Sequence, residues 1–378
     1  MTQQRTYLDY NATAPLAPAA RAAVLDALDT GGNPSSVHAC GRAARKLVEQ
    51  ARRHVGSLIA ARTQDIVFTS GGTEANATAI AGLPAQSLIV NDTEHDSVRQ
   101  PAQAAGLPVW RLPVGRDGRA DLAALEDRLK TAPAPALVCL MLANNEIGVL
   151  QPVIEAAELV HAHGGLLHCD AIQAAGRIPL DVTALGVDSL SLSGHKIGAP
   201  PGVGALWLRP GLTLRPLVTG GGQELGRRGG TEAVPAIAGF GAAAEAAAAL
   251  PDGTDRLQAL RDRMESDIAA LAPDAFVIGA NAPRLANTSA IGMPGLAAET
   301  QVMAFDLEGI SISAGAACSS GKVKVSHVLL AMGLDADEAG CVIRISLGRG
   351  TTEADIDCFV SAWRDMYLRR SRRRGAVA

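Results

Sequence analysis

Short, uninterrupted apolar runs alternate with amphipathic helical stretches through the first two-thirds of the chain. This pattern constrains the fold more than any other feature. Runs at Asp65–Thr69, Ser87–Asn91, Leu137–Leu142, Gly165–Asp170, Ser189–Ser193 and Gly204–Leu208 read as strands. They are too short for helices and apolar at successive positions, as expected of strands buried on both faces of a parallel sheet. Between them lie helical patterns such as Arg42–Leu58, Leu122–Lys130 and Ile154–His163. Strand–helix alternation of this kind specifies an α/β fold.

A glycine-rich stretch, Gly220 to Gly230, separates this region from a long helical one, Thr231–Leu271. Strands near Asn287–Ile291, Ile310–Ser313 and Val342–Ser346 follow, with a last helix over Glu353–Leu368. These form a second, smaller domain in this reading. With aromatics at 3% of a chain that is 48% hydrophobic, the core must be filled by Ala, Val, Leu and Ile. The net charge of −4 offers no attraction for nucleic acid, and the arginine run at 369–374 reads as a solvated, frayed tail. No apolar leader opens the chain, and the Ala233–Leu250 run is too weakly hydrophobic to span a bilayer. Six cysteines without a C-x-x-C pair indicate neither a disulfide framework nor a zinc site, so a reducing cytoplasm is expected.

Polar residues collect where the strands end, which is the ligand edge of an open α/β sheet. Phe68-Thr69-Ser70-Gly71-Gly72-Thr73 is a strand, a glycine turn and a helix start. Such a turn lets backbone N–H groups reach an anion, although it also makes an ordinary helix cap. Asp170 ends another strand, with Gln173 one turn on. Ser193-Gly194-His195-Lys196 ends a third, in a loop shaped by Gly198 and Pro200-Pro201. A lysine able to form a Schiff base and a carboxylate able to pair with a pyridinium nitrogen are the two groups that pyridoxal phosphate (PLP) requires. Each alone has a bland reading, as solvated charge or cap; together they favour a PLP site, with Ser193 and His195 available to phosphate.

His95 follows a further strand and could lay its ring on the cofactor. Cys318 sits in Ser313-Ala314-Gly315-Ala316-Ala317-Cys318, among residues too small to bury it, so it reads as an accessible nucleophilic thiol. Cys139, Cys169 and Cys341 lie in apolar strands and read as structural. The Gly239-Phe240-Gly241 match to a dinucleotide fingerprint falls inside a helix and is discounted. His161, His163 and His168 lack the spacing of a zinc helix and read as surface residues; no metal site is expected.

In combination these residues resemble the cysteine desulfurases of the NifS/IscS type, within the class V aminotransferase group of PLP enzymes. The resemblance runs from Tyr7-Leu8-Asp9-Tyr10-Asn11-Ala12-Thr13-Ala14-Pro15 to Arg344-Ile345-Ser346-Leu347-Gly348-Arg349. It includes Gly32-Asn33-Pro34-Ser35-Ser36 and Asn144-Asn145-Glu146-Ile147-Gly148. It implies PLP-dependent transferase fold type I: a large domain (15–254) around a mainly parallel seven-stranded sheet, and a smaller α+β domain (1–14 with 255–378) carrying the cysteine loop.

The resemblance also implies roles. Lys196 carries PLP as a Schiff base, His95 stacks on its ring, Asp170 pairs with its nitrogen, and Asn145 and Gln173 contact its oxygen and edge. Gly72, Thr73, Ser193, Gly194 and His195 hold the phosphate side, with Thr231 supplied by the other subunit of a homodimer. Asn145 and Arg344 take the substrate, Arg344 by a bidentate pair with the carboxylate of L-cysteine. Cys318 accepts the sulfur as a persulfide and passes it to an acceptor protein such as an iron–sulfur scaffold. An aminotransferase or selenocysteine lyase of the same fold, and a catalytically silent PLP-binding subunit, are the rival readings. Three departures stand out: Leu225 where arginine is frequent, Ala77 where asparagine is frequent, and a chain that stops soon after Tyr367, without the extension that IscS-like members use to dock a scaffold.

Overall fold

The computed structural model describes residues 5–249, 253–315 and 325–375. A seven-stranded sheet runs in the order Ile66–Thr69, Gly204–Leu208, Ser189–Ser193, Leu166–Asp170, Ala136–Cys139, Ser87–Asn91, Val109–Leu112. Gly204–Leu208 is antiparallel to both its neighbours, and the other pairs are parallel. The fold is therefore α/β with a mainly parallel sheet, as the alternating pattern requires.

Successive strand residues feed opposite faces. Phe68, Ile89, Val138, Leu167, Leu190 and Leu192 pack into one core, while Val67, Leu88, Val90, Leu137, Leu166 and Leu206 pack into another. Both faces are covered, so every second residue cannot be polar and the runs stay apolar throughout. On the first face, helix Ala39–Leu58 crosses Val234–Ala248 closely enough that a Cβ on Gly241 would come within 2.4 Å of the Ala51 Cα.

A separate core gathers Leu8, Met264, Phe305, Phe359 and Trp363 around a four-stranded antiparallel sheet ordered Ser313–Ala314, Val342–Ser346, Thr288–Gly292, Phe276–Val277. The N-terminal segment ties the two regions together. Thr6–Tyr7 pairs in parallel with Ile310–Ser311, the Asn11 N–H donates to Ser346 Oγ, and the Ala14 N–H then donates to the His195 carbonyl just after strand Ser189–Ser193 of the large sheet.

Several expectations need correction. The strand read as Leu137–Leu142 ends at Cys139, because the Met141 N–H turns away to the Glu94 carboxylate. The Thr231–Leu271 stretch is two helices, Val234–Ala248 and Gly253–Leu271, on either side of a Leu250-Pro251-Asp252 sequence. Ile310–Ser313 divides between two sheets. The last helix is longer than expected, Glu353–Gly375, and takes in the whole arginine run. Arg370 is buried there, paired with Asp274 at 2.7 Å and lying 4.5 Å over the Tyr367 ring, which anchors that turn rather than leaving it frayed.

Candidate active site

The carboxyl ends of the parallel strands open on a cavity of about 580 Å³. Of the residues expected at the site, Gly72, Thr73, His95, Asn145, Asp170, Gln173, Ser193, His195, Lys196 and Arg344 all line it. Gly194 lies beneath the wall, where a Cβ would meet Val203 at 2.9 Å and Phe240 at 3.2 Å. Thr231 is exposed and is not part of the lining in its own chain. Cys318 lies outside the described residues, but Gly315 and His327, on either side of that stretch, both line the cavity.

The glycine turn works by omission. Helix Gly72–Gly82 begins at the cavity wall, and a Cβ on Gly72 would stand 2.2 Å from Ile172 Cδ1. Without a side chain, the first amides of the helix, which no preceding turn satisfies, can face an anion.

Asp170 ends the central strand and is buried. Its Oδ1 accepts from the Ile172 N–H at 2.9 Å and its Oδ2 from Asn76 Nδ2 at 2.8 Å. The same Asn76 nitrogen donates to Ser97 Oγ, leaving Oδ1 to accept from His168 Nε2 at 3.0 Å. His168 must therefore carry its proton on Nε2 and accept from Ser189 Oγ on Nδ1, at 2.8 Å. Burial pushes the His168 imidazole down to about 3, so it stays neutral. This corrects the surface reading of His168, which is completely enclosed. Burial also raises the Asp170 carboxyl, against the opposing pull of the Ile172 N–H, Asn76, His95 and Lys196.

His95 caps helix Asp96–Ala104, its Nδ1 accepting from the Ser97 N–H at 3.1 Å. In the neutral ring the proton therefore sits on Nε2. Beside it, Glu94 is fully buried with Oε2 unpartnered among the described residues; burial first, then the Asp170 charge, raises it well above the ordinary carboxylate range.

Lys196 lines another part of the cavity. Its Nζ donates to the carbonyls of Asn11, at 2.6 Å, and Ala12, at 2.8 Å. Burial, then Arg344 and Arg177, push the amine down to about 8 despite Asp9 and Asp170. A larger share is thus unprotonated and nucleophilic near neutrality than for a solvated lysine. Arg344 donates to Asp9 Oδ1 at 2.8 Å and to the Asn145 carbonyl at 3.1 Å, and its Nε is unpartnered among the described residues. Gln173 donates to the Asn11 carbonyl at 3.0 Å and accepts from Arg177. The Asn145 side chain makes no hydrogen bond among the described residues and remains available to a ligand.

Asn76, Asp9, Asn11, Arg177 and His327 were not singled out from the sequence. Asp9 and Asn11 fall in the Tyr7–Pro15 motif, which was a signal without an assigned role. Asn76 stands in the helix start after the Gly71-Gly72-Thr73 turn, also without an assigned role; Arg177 and His327 carry no local mark, since Tyr10 and Glu94, which they reach, are remote in the chain. Among the described residues no helix is long and apolar enough to cross a membrane, and no group of His, Cys, Asp and Glu has the makings of a metal site.

Comparison with known proteins agrees with this geometry. The chain is 46% identical over 365 residues to a cysteine desulfurase of Cereibacter sphaeroides, covering 94% of this chain and 93% of that one. It is 39% identical over 366 residues to an IscS-like cysteine desulfurase of Mycobacterium tuberculosis, covering 93% of each. The solved structure of a NifS-like protein from Rickettsia africae superposes with a TM-score of 0.89 at 33% identity, covering 96% of this chain and 99% of that one. The architecture is that of PLP-dependent transferases of fold type I. The profile of the Aminotransferase class-V family, a PLP-dependent family, matches residues 6–359, and with the lysine, carboxylate and glycine turn set around one cavity, the chain belongs to that family.

Proposed function

We propose that this protein is a cysteine desulfurase, which uses PLP to remove sulfur from L-cysteine and leaves L-alanine. The observation that carries this is the position of Lys196: a half-buried amine with a lowered pKa, in a cavity bounded by the Asp170 carboxylate and the Arg344 guanidinium. The donor set fits PLP. Asp170 would meet the ring nitrogen, and a cation there would return its carboxyl to full ionisation. Helix Gly72–Gly82, Ser193 and His195 would hold the phosphate, and His95 would face the ring. When bound, PLP supplies an electron sink for bonds broken at the substrate.

The chain's own residues do the rest. Arg344 binds the substrate carboxylate, which takes the place of Asp9 and the Asn145 carbonyl around the guanidinium. Lys196 moves the Cα proton, and His95, with a proton on Nε2, serves the substrate thiol. The Cys318 thiolate attacks the substrate sulfur: an S–S bond forms, the C–S bond breaks, and its electron pair stays with the carbon fragment, which is protonated and released as alanine. Cys318 keeps the sulfur as a persulfide for an acceptor, an iron–sulfur scaffold being one such partner.

We place the two regions as a large domain, 15–254, and a small one, 1–14 with 255–378; their separate cores support this division. Homodimerisation is part of the same reading. Val37 is 88% exposed and Leu225 is 78% exposed, apolar side chains that an interface would cover. Thr231, absent from its own cavity, would reach the partner's. We assign the protein to the cytoplasm.

The experiment is Cys318→Ala. The variant should keep bound PLP and its yellow colour but form no alanine from cysteine; undiminished turnover refutes the assignment. Alanine and sulfide appearing without an oxo-acid acceptor separates desulfuration from transamination.

A further inference from the structure

A second cavity of about 530 Å³ lies against the first, and Lys196 lines both. It sits where the two cores meet, between the Ala14–Pro18 segment and Arg177 on one side and Arg256 and Leu347–Gly350 on the other. Its charges are one-sided. Arg177, Lys196, Arg256 and Arg349 line it, and among the described residues no carboxylate does. The catalytic cavity, by contrast, has Glu74, Asp96, Glu146 and Asp170 in its walls.

The three arginines have only neutral partners among the described residues. Arg177 donates to Gln173 and, at 3.2 Å, to the Tyr10 carbonyl. Arg256 donates to the carbonyls of Thr351, at 2.6 Å, and Arg349, at 3.0 Å. The Arg349 guanidinium makes no hydrogen bond to a described residue. Burial and the neighbouring Arg344 push Arg177 down to about 9. Arg177 is half-buried without a counter-ion, which is costly, whereas Arg256 and Arg349 are exposed at the mouth; a carboxylate or phosphate is the group whose geometry a guanidinium matches. The remaining wall is apolar, from Leu16, Pro18, Ile197, Leu257 and Leu347, and the volume falls in the usual range for small-molecule sites.

We propose that this second cavity binds a small organic anion, an apolar body bearing a carboxylate or a phosphate, with Arg256 and Arg349 taking the charged end. The proposal stands apart from the desulfurase reading, because it concerns a different cavity. Its bearing on the chemistry runs through Lys196. An anion there offsets Arg177, one of the two cations that hold the Lys196 amine toward its neutral form. The ligand therefore acts on the reactive amine without entering the catalytic cavity.

The test is calorimetric titration of the PLP-loaded protein with benzoate, phenyl phosphate and, as a neutral control, benzyl alcohol. Saturable binding of one or both anions but not of the alcohol is expected. Arg349→Gln should weaken it about tenfold or more, the loss of one charged hydrogen-bond pair. Leu16→Trp, which narrows the apolar side, should weaken it as well, whereas Arg344→Lys should leave it within about twofold of wild type. No saturable binding by either anion, equal binding by Arg349→Gln, or loss in Arg344→Lys (which would put the probe in the catalytic cavity) overturns the proposal.

Discussion

On one wall of the catalytic cavity, Asp170, Asn76 and His168 satisfy one another in a closed set of hydrogen bonds. On another wall, Lys196 and Arg344 lean on the carbonyls of Asn11, Ala12 and Asn145 and on the one carboxylate of Asp9. The first arrangement fixes a charge where a cofactor ring would sit, and nothing in it needs to move. The second holds two cationic side chains on partners that a ligand can replace. Preorganised charge suits the part of the site that stays the same through a reaction. Exchangeable contacts suit the part that must accept and release substrate. One wall is a support; the other is a receiver.

The largest effect should come from disturbing the fixed wall. Asp170→Asn removes the buried charge that would face the cofactor's ring nitrogen; breaking such a buried pair costs about 3–5 kcal/mol, so kcat/KM for cysteine should fall on the order of 10²–10³-fold. Steady-state alanine formation measures it, and a loss of less than about tenfold would mean that this wall does not supply the decisive charge.

The second prediction concerns the receiving wall and its pH dependence. The folded protein holds Lys196 at about 8, below the ordinary lysine value of 10.5. Below pH 8 the amine is protonated in both the folded and the unfolded chain, and burying that charge weakens the fold. Between about 8 and 10.5 the unfolded chain binds more protons than the folded one, so this group's contribution to stability rises with pH. In cofactor-free protein, the stability gap between wild type and Lys196→Met should change by on the order of 3 kcal/mol across that window. Urea unfolding at a series of pH values reads this directly, and parallel curves for the two proteins would remove the basis for an activated amine.

A smaller effect is expected at Arg344→Lys, which keeps the charge but loses the planar fork. One charged hydrogen bond is worth about 1.5–3 kcal/mol, so KM for cysteine should rise roughly ten- to a hundredfold. Turnover at saturation should change much less. A fall in kcat with KM unaltered would move Arg344 out of substrate binding and blur the contrast between the walls.

How far the sequence reached follows from the range of the interactions involved. The Gly71-Gly72-Thr73 turn, the strand carrying Asp170 and the loop carrying Lys196 were legible, because each is a local strand-to-loop pattern with its candidate residue at the end. The strand Val109–Leu112 was not, since it is the sheet edge and most of its side chains are exposed or half-buried, so no apolar run marks it. His168 read as a surface residue because its partners, Asn76 and Ser189, are 92 and 21 positions away. Arg370 read as part of a frayed tail because Asp274, which holds it, is 96 positions away. Glu94 and Met141 set the end of a strand across 47 residues, which no window along the chain can show.

The account depends on Lys196 being the residue that carries the cofactor. Borohydride reduction of the PLP-loaded protein, followed by peptide mass mapping, tests this most directly. The account predicts a single pyridoxyl adduct on the peptide containing Lys196. No adduct, or one placed instead on a solvated lysine such as Lys130, which pairs with Glu126 and Asp127 at the surface, would contradict it.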